Sequence, residues 1–183
     1  MKIWLSSLLL FTLTATTAMA WPRVGDDAHY LMSTTGGPVP MSGTAELTVT
    51  GIDASQNLIR IRMTAYIAGY TESKEAIDKL SDAKNLAKLV PELVAHCDAH
   101  NGTSVQLATP AGVFSTCKIS SDQGDKVVTT WYANVVFGYA KQTVLTRTAG
   151  ITQAMILQSF TNGTNSGLPH KSSCDRDGGL KLK

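Results

Sequence analysis

Alternating apolar and polar residues predict a series of β-strands in the first third of the chain. In residues 44–52, TAELTVTGI, every second residue from Ala45 to Val49 is apolar, which is the period of a half-buried strand. Residues 58–67, LIRIRMTAYI, alternate in the same way after a polar turn. The two runs predict an antiparallel hairpin with one face on the core, and a first short strand is predicted around residues 28–33.

The period changes from two to that of a helix in residues 73–89, SKEAIDKLSDAKNLAKL. The apolar residues fall on one side, and Ser73 is suited to be the N-cap of the helix. Because Pro91 has no amide hydrogen to donate, the helix is predicted to stop or kink near Leu89. A further turn or two is expected to begin at Pro91 and to end at Asn101-Gly102.

Strand patterns return after residue 102, and a defined turn separates the first two. Thr109-Pro110-Ala111-Gly112 has the composition of a type I turn in which glycine takes the left-handed conformation. In hairpins this composition forms a three-residue loop with a bulge at the glycine. Residues 104–119 are therefore predicted to form one hairpin, with Cys117 in the middle of its second strand.

The first 20 residues have the layout of a secretory signal peptide. One lysine precedes an apolar run at residues 3–13, and Ala18-Met19-Ala20 follows, so cleavage is predicted before Trp21. The apolar run is shorter than the roughly 20 residues of a transmembrane span. No cysteine adjoins the cleavage point, which excludes a lipoprotein. A periplasmic or secreted protein without a transmembrane segment in the mature chain is predicted.

The remaining chain has the size of one domain. Residues 21–162 are expected to form a single α+β domain, and residues 163–183 are expected to form a flexible tail. The net charge of the whole chain is only +2. Such a balance gives no electrostatic reason to expect nucleic acid or an anionic membrane as a partner.

The chain contains three cysteines, Cys97, Cys117 and Cys174. Since an exported protein meets an oxidising compartment, one disulfide and one remaining thiol are expected. A bond between Cys97, at the end of the helical region, and Cys117 would fasten the helix to the sheet. It would close a loop of about 20 residues and stabilise the fold by about 3 kcal/mol. Cys174 lies in the Gly- and Ser-rich tail and is the expected free thiol.

One segment, HCDAH at residues 96–100, has the composition of a metal site. His96 and His100 are four residues apart and would share a helical face, and zinc or a cupric ion could accept them as ligands. Histidines also suit the negative end of a helix dipole, and the disulfide would occupy Cys97. The second interpretation is preferred, so neither a metal nor a cofactor is predicted.

The sequence carries no catalytic motif. Gly-x-Ser-x-Gly, a Cys-His frame and a phosphate-binding glycine loop do not occur. Asp26 and Asp27 are adjacent, so in an extended segment they face apart, which is poor geometry for paired-carboxylate catalysis. They are expected to be surface turn residues, and His29 stands alone in the sequence. The protein is therefore predicted not to be an enzyme.

Aromatic and aliphatic residues of the later strands, together with two from the early hairpin, could line an apolar pocket. They could equally fill the core, which is the preferred interpretation because aromatic side chains dominate ordinary cores by area. The candidates are Ile61, Met63, Phe114, Trp131, Tyr132, Phe137, Tyr139 and Phe160.

The order of three motifs resembles that of a group of uncharacterised exported bacterial proteins. The first motif, TPAGVFSTCKI, matches their Pro-Ala-Gly-x-Phe turn with a following Cys. The second, TTWYANVVFGYAKQ, matches their Trp-Tyr strand leading into Val-Pro-Phe-Gly. The third, ILQSF, matches their Leu-x-Ser-Phe strand. Val136 stands where proline is usual in that pattern. Those proteins are similar in shape to the LolA/LolB-like lipoprotein-carrier folds, in which a curved antiparallel sheet wraps a helix and can leave an apolar cavity.

The pattern and the resemblance together predict an α+β fold. One curved, half-barrel-like antiparallel sheet of about six to eight strands is expected to wrap one kinked helix that follows the second or third strand. The predicted function is that of a non-enzymatic envelope protein that binds an apolar small molecule, a lipid or a lipoprotein in a cavity between sheet and helix. One alternative is a structural or interaction module that docks another envelope protein without a small ligand. Another is a metal-binding protein using His96 and His100.

Overall fold

The computed structural model of the protein describes residues 21–163, so the predicted signal peptide, Cys174 and nearly all of the predicted tail lie outside the described residues. Within that range the chain forms nine strands and one α-helix. Their bounds are β1 (Asp27–Thr35), β2 (Met41–Asp53), β3 (Leu58–Ile67), β4 (Tyr70–Lys79), α1 (Leu80–Ala95), β5 (Thr103–Thr109), β6 (Gly112–Gln123), β7 (Lys126–Tyr132), β8 (Tyr139–Thr146) and β9 (Ile151–Thr161). Short 3₁₀ turns lie at Cys97–His100 and Val136–Gly138.

All nine strands belong to one antiparallel sheet in the order β4-β3-β2-β1-β9-β8-β7-β6-β5. The first and last strands pair at its centre, and α1 connects the two edge strands β4 and β5. The sheet is strongly curved, because β5 touches β9 although four steps separate them, which would be about 19 Å in a flat sheet. This architecture confirms the predicted fold class, with nine strands in place of six to eight.

The main core lies between the concave face of this sheet and α1. Along β1 the buried residues Ala28 and Tyr30 alternate with partly exposed ones. They pack with Leu157 of β9, Ile59 of β3 and Leu80 of α1 in one cluster. The alternation that predicted the early strands therefore marks the face that the helix covers.

The predicted start of the helix is wrong by seven residues. Ser73 is not an N-cap, because it lies in the edge strand β4, which pairs with β3 along its whole length. The helix begins at Leu80, whose backbone N–H donates to the backbone oxygen of Asn57 at 2.9 Å. The side chain of Asn57 accepts a second bond from the N–H of Ser81, also at 2.9 Å. The cap is thus supplied by the β2–β3 turn, a partner distant in sequence.

A stop or a kink of the helix was predicted near Leu89. The helix does not stop there, and it runs through Pro91 to Ala95. A 3₁₀ turn follows the helix at Cys97–His100, and it ends at Asn101-Gly102, where the helical region was predicted to stop. Asn101 adopts the left-handed conformation, and the N–H of Gly102 donates to the oxygen of Cys97 at 3.0 Å. The helix follows the fourth strand, not the second or third.

The turn between β5 and β6 is one residue shorter than predicted. Thr109 pairs with Gly112, so only Pro110 and Ala111 lie outside the ladder. Gly112 has a positive φ of 135°, which confirms that this position needs glycine. The hairpin is the predicted one, and Cys117 lies in mid-strand between Ser104 and Tyr132.

A buried carboxylate joins the two ends of the described chain. Asp26, expected to be a surface turn residue, is only 1% exposed. Its carboxylate accepts the backbone N–H of Arg23 and, at 2.8 Å, that of Gly163. Gly163, predicted as the first residue of the tail, is itself buried, and a side chain there would lie 2.3 Å from the oxygen of Val24. The ordered fold therefore includes this residue.

Asp26→Asn is expected to lower the free energy of unfolding by about 2 kcal/mol at neutral pH, because the amide turns an NH2 group, which only donates, toward one of the two buried N–H donors. Burial raises the pKa of Asp26 above its ordinary value of 3.8, so the folded chain takes up this proton at a higher pH than the unfolded chain. Stability from this group thus rises as the pH falls toward 3.8, and the variant lacks that rise. Urea denaturation from pH 7 to pH 4 should show that the wild type becomes more stable relative to the variant as the pH falls. A difference in stability that becomes smaller would contradict the raised pKa of Asp26.

Candidate functional site

The disulfide fastens the end of the helical region to the sheet, as predicted. The sulfur atoms of Cys97 and Cys117 are 2.10 Å apart, and their Cα atoms are 5.3 Å apart. Both residues are buried in a small cluster with Leu93, against which Ile119 and Tyr132 pack. A Cβ atom at Gly102 would lie 2.5 Å from both sulfurs, so this position requires glycine. A buried disulfide fits an extracytoplasmic location.

The eight predicted pocket residues do not surround one cavity. Phe137 and Tyr139 are part of the filled core, where Phe137 contacts the Trp21 ring at a centroid distance of 5.7 Å and Tyr139 stacks on Tyr30 at 5.2 Å. Burial raises the pKa of both Tyr30 and Tyr139, which keeps these phenols neutral. The preferred core interpretation is confirmed for these residues.

The remaining candidates are dispersed. Phe114 and Phe160 pack against the core near each other, with ring centroids 6.3 Å apart. Tyr132 belongs to the disulfide cluster. Trp131 lies on the opposite face of β7 from Tyr132, between Lys118 and Lys141, whose ammonium groups are 5.4 and 4.7 Å from the ring centroid. Ile61 packs on the edge of the core, and Met63 is 41% exposed.

A cavity of about 270 Å³ lies elsewhere on the concave face. Its lining belongs to five strands and includes no helix residue. Along β1 the concave positions change from core, at Ala28 and Tyr30, to cavity, at Met32 and Thr34. The lining residues are Met32, Ser33, Thr34, Met41, Ser42, Gly43, Ile67, Gln142, Val144, Gln153, Ala154 and Met155. We call this the open concave pocket.

The open concave pocket combines apolar side chains with uncharged polar ones. Three methionines supply flexible, polarisable side chains that adapt to the shape of a ligand, and Ile67 and Val144 add branched apolar surface. Its polar members are hydroxyl and amide side chains. No acidic, basic, histidine, cysteine or tyrosine side chain is part of the lining, so the pocket holds no group suited to acid–base catalysis near neutral pH.

A second depression, of about 570 Å³, lies along the exposed side of α1. Its lining consists of Asp82, Asn85, Leu86, Lys88, Leu89 and Glu92. All of these residues belong to one helix and charges of both signs alternate among them. This composition is that of a solvated helix surface.

The less favoured interpretation, a metal site at His96 and His100, does not have the helical geometry on which it was based. The helix ends at Ala95 and His96 has a non-helical conformation, so the two histidines do not share a helical face. Cys97 is held in the disulfide. Over residues 21–163, the group of side chains close enough together to hold one ion is a different one, Asp27, His29 and Glu46.

This second cluster lies on the outer face of the sheet. Asp27 and His29 are two residues apart on β1, and Glu46 is the direct partner of His29 on β2. Their donor atoms all lie within 4.8 Å of one another. Sequence reasoning missed the cluster because it treated Asp27 as a turn residue and His29 as isolated. The Asp-x-His spacing on an alternating strand could have placed Asp27 and His29 on one face. Glu46 becomes part of the cluster only through the pairing of β1 with β2.

No described helix is long and apolar enough to cross a membrane. The chain matches no known protein family, and no curated protein is similar to it in sequence. Its fold is similar to that in the crystal structure of a predicted exported protein with a YmcC-like fold from Bacteroides fragilis NCTC 9343. The two share 11% sequence identity with a TM-score of 0.45, over 77% of this chain and 98% of the other.

Proposed function

We propose that the protein is an exported, non-enzymatic carrier or receptor that binds the acyl chain of a lipid in its open concave pocket. The observation that carries this proposal is the division of one sheet face into a core covered by α1 and an apolar cavity that α1 leaves open. A protein stabilised only by its sheet and helix would not need the uncovered part to be apolar.

The size and chemistry of the pocket favour an acyl chain over a bulkier ligand. Its volume of about 270 Å³ equals roughly nine water molecules at about 30 Å³ each. This is near the lower limit for small-molecule sites and suits a narrow, unbranched chain. Since the lining offers no charged side chain, a charged headgroup is better placed outside the pocket.

The disulfide and the amino-terminal sequence support the exported location. A buried bond between Cys97 and Cys117 persists in oxidising compartments and is rare in the cytosol. Residues 1–20 have the order of charged, apolar and small residues that directs secretion. An exported acyl-binding protein would act in the envelope, where lipids must cross an aqueous space.

The direct test is to purify the full-length, processed protein from its own envelope without detergent and to analyse an organic extract of it by mass spectrometry. A stoichiometric lipid or fatty acid is expected. Absence of any lipid, together with a wild-type protein that gives no saturable signal with the neutral apolar dye N-phenyl-1-naphthylamine, would contradict acyl binding.

Met155→Glu is expected to weaken binding of this dye at least about tenfold, because it replaces an apolar side chain of the pocket with a carboxylate and the lining offers no positive charge to pair with it. Fluorescence titration of the purified variant measures the loss. The matched control is Leu31→Glu, since Leu31 lies beside Met32 on β1 but on the outer face and is 39% exposed. The control should bind as the wild type does, and equal losses in both variants would show that the pocket is not the dye site.

A further inference from the structure

The geometry points to a divalent metal site, best suited to zinc, formed by Asp27, His29 and Glu46 on the outer face of the sheet. It does not depend on the proposed acyl binding, because strand alternation places these side chains on the opposite face from the open concave pocket. Ala28 and Tyr30, which flank His29, are both fully buried on the concave side.

Strand pairing brings the three ligands together without any loop. Asp27 and His29 project from the same side of β1 because they are two residues apart. Glu46 stands directly opposite His29 in the β1–β2 ladder, where Cβ atoms of paired residues are about 5 Å apart. Ligands held on paired strands keep their spacing, so the site is preorganised.

The neighbouring hydroxyl of Thr48 also favours a cation at this position. The hydroxyl of Thr48, which is opposite Asp27, lies 2.8 Å from Oδ2 of Asp27 and 3.2 Å from Oε1 of Glu46. Its single O–H can donate to one of the two carboxylates at a time, and the shorter distance favours Asp27, so Thr48 helps to position this ligand, as outer-shell partners of metal ligands do.

The charge of the cluster is unbalanced without an ion. Nε2 of His29 lies 2.8 Å from Oδ1 of Asp27, but a single imidazole cannot neutralise two carboxylates. In residues 21–163, the Lys and Arg ion pairs are Lys74–Glu72 and Arg147–Asp122, so neither lysine nor arginine pairs with Asp27 or Glu46. A divalent cation at the centre of the three donor atoms would supply the missing positive charge.

The donor set selects the class of ion. One imidazole nitrogen and two carboxylate oxygens suit zinc, whose ligands in proteins are nitrogen, oxygen and sulfur in tetrahedral arrangement. Three protein ligands would leave the fourth position to water. The His29 side chain is 43% exposed and that of Asp27 is 16% exposed, so an ion could reach the site from solvent.

The test is equilibrium dialysis of the oxidised, processed protein against zinc chloride, with elemental analysis of the bound metal. The wild type is expected to bind one zinc ion per chain with saturation, and zinc should shift the His29 imidazole resonances in NMR spectra. His29→Gln and Glu46→Gln should each weaken binding at least about tenfold. Thr48→Val should weaken it less, because Thr48 acts as a positioning residue.

The double variant His96→Gln/His100→Gln is the matched control. It removes the two histidines that the sequence alone suggested and should bind zinc as tightly as the wild type. Circular dichroism melting verifies that each variant is folded. The site is overturned if wild-type protein shows no saturable zinc binding, or if folded His29→Gln and Glu46→Gln proteins bind zinc as tightly as the wild type does.

Discussion

Replacing Cys97 and Cys117 together by alanine is expected to lower the free energy of unfolding by about 3 kcal/mol. The bond closes a loop whose ends are 20 residues apart, and on the chain-entropy argument a loop of this length is worth about 3 kcal/mol. The loop contains the turn from the helix into β5, so without the bond the helical region loses its covalent attachment to this end of the sheet and keeps the packing of Leu93 and its neighbours. Urea denaturation of both proteins measures the difference.

Cys174→Ala controls for the loss of a thiol as such, since it leaves the bond in place, and it should denature as the wild type does. Wild-type protein treated with a reductant should resemble the double variant. A double variant as stable as the wild type, with an unchanged dependence on urea concentration, would show that the bond does not hold the helical region to the sheet.

Leu157→Ala is expected to cost about 3 kcal/mol, within the range of about 2–5 kcal/mol measured for leucine truncation in cores. Leu157 is fully buried and pairs with Tyr30 at the junction of β1 and β9. It belongs to the cluster that includes Leu80 of the helix. A cavity at this position would weaken the packing between the concave face of the sheet and α1. The midpoint of urea denaturation reports the change.

Leu31→Ala is the matched control, because it makes the same substitution one residue along from Tyr30 on the outer face. Leu31 is 39% exposed, so its truncation should cost less than about 1 kcal/mol. If the two truncations cost the same, the assignment of buried and exposed faces to β1 and β9 would be wrong.

Local patterns were sufficient to predict the strands other than β4, because alternation reports which face of a strand is buried, whereas most of β4 was predicted as helix. Residues 58–67 were predicted as a strand with the bounds that β3 has in the structure. The helix was misplaced where a non-local contact decides its start. Ser73 has the chemistry of an N-cap, but β3 provides a full ladder for residues 70–79, and Asn57 caps the helix from another turn.

Both candidate sites depend on strand register and could not be predicted from single segments. The open concave pocket joins residues of β1, β2 and β3 to residues of β8 and β9 that are at least 75 positions away. The Asp27–His29–Glu46 cluster needs the pairing of His29 with Glu46. The histidines that are close in sequence, His96 and His100, were the more visible motif, yet the helix ends before they could share a face.

The disulfide could be predicted because both of its ends follow from local signals. Thr109-Pro110-Ala111-Gly112 defines a hairpin, which places Cys117 in mid-strand, and Cys97 lies shortly before the stop at Asn101-Gly102. The structure places the two sulfur atoms at bonding distance. The aromatic residues were harder to assign, because burial in a core and lining of a pocket produce the same alternation.

The central claim is that the concave face is divided into a core under α1 and an open apolar pocket. It is tested most directly by NMR of protein labelled with ¹³C at its methionine methyl groups and titrated with dodecanoic acid. Met32, Met41 and Met155 line the pocket, whereas Met63 does not. The methyl signals of Met32, Met41 and Met155 should shift with saturation while that of Met63 stays in place; shifts confined to Met63, or no shifts at all, would contradict the claim.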